Sequence, residues 1–369
     1  MNAPVRTYRV VQFATGHAGR HTLRQIVESP LLELVGVHAY SADKIGRDAA
    51  ELCGLDAPTG VRATEDVDAL VALRPDVVVY TAQGETRPAE AQAELVRFLE
   101  AGIDVVSTAL VWLVHPPSAD EWIRGPLAAA CERGGSTLYV NGIDPGFVAD
   151  TLPLTALSLC QSVSKVHVQE IFDYSSYDDP DFTGVAFGFG NAPDDEPPLL
   201  LQPGVLSMAW GASVHGLADA LGVQVDEIRE GHEVAYAEQT IECAMGRIEA
   251  GHVAGVRFWV EGLVDGEPLV VHEHVNRLGD DVGRDWPYPP VGRSGVHRVV
   301  VSGYPGVELN AHVGLDGVDH NEGGIVATGA RVVNAIPAVV DAAPGLVSAL
   351  DLPIGQARGL LRGRGTVTG

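Results

Sequence analysis

Tyr8-Arg9-Val10-Val11-Gln12-Phe13-Ala14-Thr15-Gly16-His17-Ala18-Gly19-Arg20 reads as a buried strand, a tight glycine turn and the start of a helix. Such a turn aims backbone N–H groups and a helix N-terminus at one point, which suits a pyrophosphate. The pattern departs from G-x-G-x-x-G at its first position, where it reads Ala14-x-Gly16-x-x-Gly19. Alanine serves there if its φ stays negative. Gly16 lets the backbone approach phosphate, and Gly19 lets the helix pack on the strand. Thr15, Gly16, His17, Ala18, Gly19 and Arg20 are therefore the expected cofactor loop, and a nicotinamide dinucleotide the expected ligand. The plain alternative is a strand–turn–helix with no ligand. Context weighs against it, because the turn follows an apolar run and a second strand follows at Leu32–Tyr40.

Residues 1–145 alternate strand and helix patterns. Strands are expected at Val10–Ala14, Leu34–Tyr40, Asp76–Thr81, Asp104–Thr108 and Ser136–Asn141, with helices at His17–Glu28, Pro88–Ala101 and Ala119–Gly134. Continuous apolar strands between helices predict an α/β class: an N-terminal Rossmann domain with a doubly wound parallel sheet. After Pro145 the pattern changes. Val163–Tyr174 and Val256–Val264 alternate, long strands follow at Pro268–Arg277 and Val296–Val301, and helices are expected at Pro145–Cys160, Val205–Leu221 and Val326–Ala342. That predicts an α+β domain over 146–323 on an open mixed or antiparallel sheet. Such a sheet is a common subunit interface, so a homodimer is expected. Asp178–Pro198, rich in Gly, Pro and Asp, reads as a lid or a solvated loop. The tail at 359–369 is small, basic and expected to fray.

The chain has 369 residues, enough for two domains, and a net charge of −25. That charge repels nucleic acid and anionic membranes, so neither is an expected partner. No apolar run reads as a membrane span and no signal-peptide pattern opens the chain. Cys53, Cys131, Cys160 and Cys243 lack C-x-x-C spacing, which argues against a disulfide scaffold or zinc ribbon and fits the cytoplasm. The lysines are Lys44 and Lys165 alone, which leaves little room for Schiff-base chemistry.

The end of strand two selects the cofactor. An acid there binds the ribose 2′-OH and repels a 2′-phosphate. Here the stretch is Tyr40-Ser41-Ala42-Asp43-Lys44-Ile45-Gly46-Arg47. Ser41, Lys44 and Arg47 can receive a phosphate, so NADP(H) is favoured. Asp43 keeps NAD(H) possible, since a modest shift of the turn aims it at the ribose. Thr81, Ala82 and Gln83 close strand three and are expected to line the cofactor.

Three further stretches sharpen the reading: Asn141-Gly142-Ile143-Asp144-Pro145-Gly146-Phe147-Val148-Ala149-Asp150, Glu170-Ile171-Phe172-Asp173-Tyr174-Ser175-Ser176-Tyr177, and Arg331-Val332-Val333-Asn334-Ala335-Ile336-Pro337. With the glycine turn and the Tyr40–Arg47 loop they resemble the dihydrodipicolinate-reductase-like oxidoreductases. The chain is most similar to the branch of 2,4-diaminopentanoate dehydrogenase and the native amine dehydrogenases. The resemblance implies a Rossmann domain, a C-terminal substrate and dimerisation domain, and a last helix (324–343) that returns to pack on the Rossmann domain. It also implies a site in the cleft between the domains, cofactor contacts from Thr108 and Asn334, and a small-molecule substrate. Two positions depart from the family. The reductases' His-His…Lys motif is met by His272-Glu273-His274…Arg277, without the lysine. The glutamate that amine dehydrogenases place just after strand four is missing from Ser107-Thr108-Ala109-Leu110-Val111-Trp112.

Reduction of C=O or C=N needs a hydride donor and a proton source. The resemblance places the substrate wall at Pro145, at Glu170–Tyr177 and on the helix bearing His215. Glu170 follows the alternating Val166 and Val168 and is expected inside, with a raised pKa. His215, Glu170 and Tyr177 are the catalytic candidates; Asp144, Pro145, Phe147 and Tyr174 are the substrate-binding ones. Each has a simpler reading: Glu170 in a structural salt bridge, the tyrosines and His215 as packing, Asp144 as a helix cap. His272-x-His274 shares one strand face, but spacing suggests no third ligand, so no metal is expected. The expected activity is an NAD(P)H-dependent oxidoreductase of the amine dehydrogenase kind. An ammonia-independent carbonyl reductase and a non-catalytic NADP(H)-binding sensor are the alternatives.

Overall fold

The structure, a computed structural model, describes residues 6–315, 317–354 and 359–360. In chain order the elements begin with β1 (Tyr8–Phe13), α1 (His17–Glu28), β2 (Leu32–His38), α2 (Ala49–Cys53), β3 (Ala63–Thr64) and α3 (Val67–Ala72). Next come β4 (Val77–Tyr80), α4 (Pro88–Glu100), β5 (Asp104–Ser107), α5 (Glu121–Gly134) and β6 (Thr137–Val140). Then follow α6 (Thr151–Leu157), β7 (Ser162–Asp173), α7 (Val205–Ala220), β8 (Glu227–Tyr236), β9 (Ile241–Cys243) and β10 (Gly246–Ile248). The last are β11 (Val253–Val264), β12 (Glu267–Arg277), β13 (Gly295–Tyr304), β14 (Val307–Ala311), α8 (His320–Val340) and β15 (Gly345–Val347). Two compact units result: Met1–Gly142 with Ile325–Gly369, and Ile143–Gly324.

The first unit is a seven-stranded sheet in the order β15-β6-β5-β4-β1-β2-β3, all of whose pairings are parallel. Val77, Val78, Val79 and Tyr80 of β4 are all buried, as a strand covered on both faces requires. Gly36 in β2 makes room for α3: a Cβ there would stand 2.7 Å from the Leu70 side chain. Val332, Val333, Ile336 and Val339 of α8 are buried in one cluster with Tyr8, Val10, Ile26 and Val77. By length and composition α8 is apolar enough to cross a membrane, against the expectation that no run qualifies. Its apolar face is instead part of this core.

The second unit holds a six-stranded mixed sheet, β14-β13-β7-β12-β11-β8, in which only β7 and β12 pair parallel. α7 packs on β8, β11 and β12. The helix expected over Pro145–Cys160 is broken: a 3-10 turn at Phe147–Ala149 precedes α6, and Asp150, between them, accepts from the Thr151 N–H. Asp178–Pro198 is not simply solvated. Its Phe187 and Phe189 are buried and their rings pack against Tyr174. Most of the tail at 359–369 lies outside the described residues.

Candidate active site

The glycine turn is built by a small polar net. Thr22 Oγ1 donates to Gln12 Oε1 (2.7 Å), and Gln12 Nε2 donates to the Ala14 carbonyl and to Thr81 Oγ1 (both 2.8 Å). The net holds Ala14 at φ +71°, so the expected negative φ is wrong: the alanine takes the left-handed conformation that glycine takes without strain. Gly19 is obligatory, since a Cβ there would stand 2.4 Å from the Ala14 carbonyl oxygen. At Gly16 a Cβ would meet no atom within 4 Å, and no side chain among the described residues caps α1. An uncapped helix N-terminus beside open space fits the pyrophosphate of a dinucleotide. Gly329 of α8 packs against this turn's support, because a Cβ there would stand 2.6 Å from Thr22 Cγ2. Asn334, expected at the cofactor, accepts from Gln25 Nε2 (2.9 Å), a bond between α8 and α1.

At the end of β2, Ser41 and Arg47 are exposed. Lys44 Nζ donates to the Thr15 carbonyl (2.9 Å), bracing the glycine turn, and Arg47 pairs with Glu51 (3.2 Å). Beside them Arg87 pairs with Glu94 (2.7 Å), stacks on the Tyr40 ring and bonds its hydroxyl; Tyr80 donates to Glu94 (2.5 Å). Sequence reasoning missed this group, since its members come from a loop, a strand and a helix far apart in the chain. Thr81 serves the turn, Ala82 is buried, Gln83 is exposed, and the Thr108 N–H donates to the Tyr80 carbonyl.

The stretch after β5 carries no acid of its own, yet the fold brings one to it. Glu85 Oε1 accepts from the backbone N–H of Leu110 (2.8 Å) and Val111 (3.2 Å), and Oε2 from its neighbour Gly84 (3.1 Å). Leu110, buried with φ +63°, is held in the left-handed region where it presents that N–H. Glu85 follows β4 by five residues, so it stands at the C-terminal edge of the parallel sheet, where ligands of open α/β sheets bind.

In the second unit, strand register assembles a polar row. Glu170 of β7 pairs with His274 of β12 on one side and His297 of β13 on the other, and His274 pairs with Phe258 of β11. Asp144, from the loop after β6, joins them. His272 Nε2 stands 3.1 Å from both Asp144 oxygens, and His274 Nε2 is 3.4 Å from Asp144 Oδ2. His274 Nδ1 is 3.4 Å from Glu170 Oε1, and His297 Nδ1 is 3.7 Å from Glu170 Oε2. These side chains are at most 8% exposed. Trp210 Nε1 of α7 donates to Asp144 Oδ1 (3.1 Å), and Tyr174 donates to Glu170 Oε1 (2.9 Å).

Burial pushes the Glu170 carboxyl up, but its pairing with His274, helped by His297, outweighs it and holds the group below its ordinary range. The expected raised pKa is thus reversed. Asp144 is lowered in the same way by His272 and His274. Burial lowers His274, yet the two carboxylates raise it to about 10. Tyr177 stacks on Tyr174 (5.3 Å), and burial, then Asp179 and Glu170, raise its phenol to about 12. Phe147 lies half-buried in the 3-10 turn, and Pro145 is buried. The histidines that meet Glu170 are His274 and His297. His215, half-buried on α7, follows Trp210 by five residues and leaves the helix about 140° away from it. The third group that His272-x-His274 lacks in sequence is Asp144, 128 positions away from His272, which no spacing rule reads; together the three could hold a metal ion.

The family model of the 2,4-diaminopentanoate dehydrogenase C-terminal domain matches residues 147–361. An amine dehydrogenase of Streptomyces virginiae is 41% identical over 352 residues, 95% of this chain and 98% of that protein. The 2,4-diaminopentanoate dehydrogenase of Acetoanaerobium sticklandii is 25% identical over 302 residues, 80% of this chain and 78% of the relative. Among solved structures, an amine dehydrogenase from Mycobacterium smegmatis superposes with a TM-score of 0.75 at 19% identity, over 95% of this chain and 98% of that one, a likeness of fold.

Proposed function

The chain belongs to the 2,4-diaminopentanoate dehydrogenase family and is an NAD(P)-dependent dehydrogenase acting on a small molecule, and from that premise we propose that it is an amine dehydrogenase. It interconverts an amine with a carbonyl compound and ammonia. The carrying observation is Glu85. Its carboxylate sits on the Leu110 and Val111 amides, beside a stretch whose own residues offer no acid.

A nicotinamide supplies hydride at C4 when bound. Thr15–Arg20 would hold its pyrophosphate on the α1 N-terminus, with Gly16 at the close approach. Ser41 would receive a 2′-phosphate, with Lys44 and Arg47, now on the Thr15 carbonyl and Glu51, able to turn to it, which favours NADP(H) over NAD(H). Glu85 accepts the ammonia-derived proton as nitrogen joins the substrate carbon. Tyr174 and Tyr177, both protonated at neutral pH, line the substrate's side with Asp144, Pro145 and Phe147.

The experiment is cofactor oxidation at 340 nm over a panel of ketones and aldehydes, with and without ammonium and with NADPH or NADH. The expected result is turnover that requires ammonium and prefers NADPH. Glu85→Gln should lower kcat/KM at least 100-fold with NADPH affinity unchanged. Turnover indifferent to ammonium would make the protein a carbonyl reductase. NADPH binding with no turnover would make it a sensor.

A further inference from the structure

We propose that Asp144, His272 and His274 form a binding site for a divalent first-row transition ion such as Zn2+. The inference does not rest on the amine reading. Three features carry it. The first is distance. Two ligand atoms about 2.1 Å from one ion lie about 3.0 Å apart at octahedral angles and about 3.4 Å at tetrahedral ones. Here Asp144 stands 3.1 Å from His272 Nε2 and 3.4 Å from His274 Nε2.

The second is burial. His274 is 3% exposed, and its Nε2 and Nδ1 each face a carboxylate, Asp144 and Glu170, at 3.4 Å, longer than a good hydrogen bond. An ion binds Nε2 in place of the proton that His274 shares with Asp144. The third is orientation. His274 is stacked on Phe258 (4.6 Å, 9°) with Trp210 at 4.8 Å, so its ring is fixed. Glu170 faces its other nitrogen and Trp210 Nε1 donates to Asp144. A carboxylate behind a histidine and a donor behind a carboxylate are how metal sites orient their ligands. Two imidazoles and one carboxylate select a transition ion over Mg2+ or Ca2+.

The test is the metal content of the untagged full-length protein, followed by chelator stripping and titration with Zn2+ and Co2+. Visible Co2+ absorption and thermal unfolding are the readouts. About one equivalent of metal per chain is expected, with a rise in Tm on re-addition. Asp144→Asn and His272→Gln should each weaken binding at least tenfold, and Glu170→Gln about 10–100-fold. NADPH binding by each variant verifies that the chain is folded. Protein purified without metal that gives no Co2+ spectrum and no Tm response to either ion overturns the site. So does binding that is equal in wild type and both ligand variants.

Discussion

Ala14 shows how a single residue sets the cost of a site. A left-handed alanine costs about 1–2 kcal/mol, and here the Gln12–Thr22–Thr81 net keeps it there. Ala14→Gly should therefore stabilise the protein by about 1 kcal/mol, part of the relief being lost to the freer unfolded chain. Gly16 behaves oppositely. A Cβ there would meet nothing within 4 Å, so Gly16→Val should cost only about 1 kcal/mol, the penalty of valine at a helix N-cap, while NADPH affinity falls at least tenfold. Denaturant unfolding and cofactor titration of both variants check this. Unchanged affinity in Gly16→Val would remove the pyrophosphate from this turn. The motif was legible in sequence because both functions of its glycines are local. The sign of φ at Ala14 was not, because it depends on Gln12 and Thr81.

At the scale of elements, strand pairing decides which charges meet. Asp104 opens β5, and its carboxylate accepts from the Thr137 N–H of β6 (2.7 Å). Burial, more than the Thr137 bond and Arg6 can offset and aided by Asp76, raises its pKa from 3.8 to about 6. The folded state thus holds this proton more tightly than the unfolded chain. Its contribution is intact below about pH 4 and is lost as the pH rises through about 6. Full linkage corresponds to about 3 kcal/mol, and solvent screening of this partly open carboxyl reduces that to about 1 kcal/mol. Asp104→Asn should raise stability at pH 7 by about that amount and leave it unchanged at pH 4. Urea unfolding at both pH values measures it, and an equal effect at both would refute the linkage. The elements were largely visible in sequence: α1 matches its expected limits, and β4, β5, β7 and β12 lie within one or two residues of theirs. β8 and the strands at the sheet edges were not, because short or half-exposed segments such as Gly345–Val347 carry little apolar pattern.

For the whole molecule, the outer face of the second unit's sheet bears on assembly. Lys165, His167, Arg257 and Trp259 are only half-buried there, around a Glu273 carboxylate held by Arg257 and Gln169 (both 2.6 Å). We propose that this face pairs with a second copy of the chain. Light scattering should return twice the chain mass at low and at high salt, because a polar core of this kind is shielded once covered. A single-chain mass at micromolar concentration would exclude the pairing.

The sequence by itself determined the parallel first unit, the glycine turn and the switch to an open sheet after Pro145. These follow from periodicity and turn chemistry over a few residues. Only the tertiary structure decided where the acids sit. Glu85 reaches Leu110 across 25 positions, and Asp144 reaches His272 across 128. Glu170 meets His274 and His297 by strand register. Periodicity places a side chain on a face of its own element, whereas the charges that face it across the sheet are fixed by how distant strands align, and those neighbours set the charge state of Glu170.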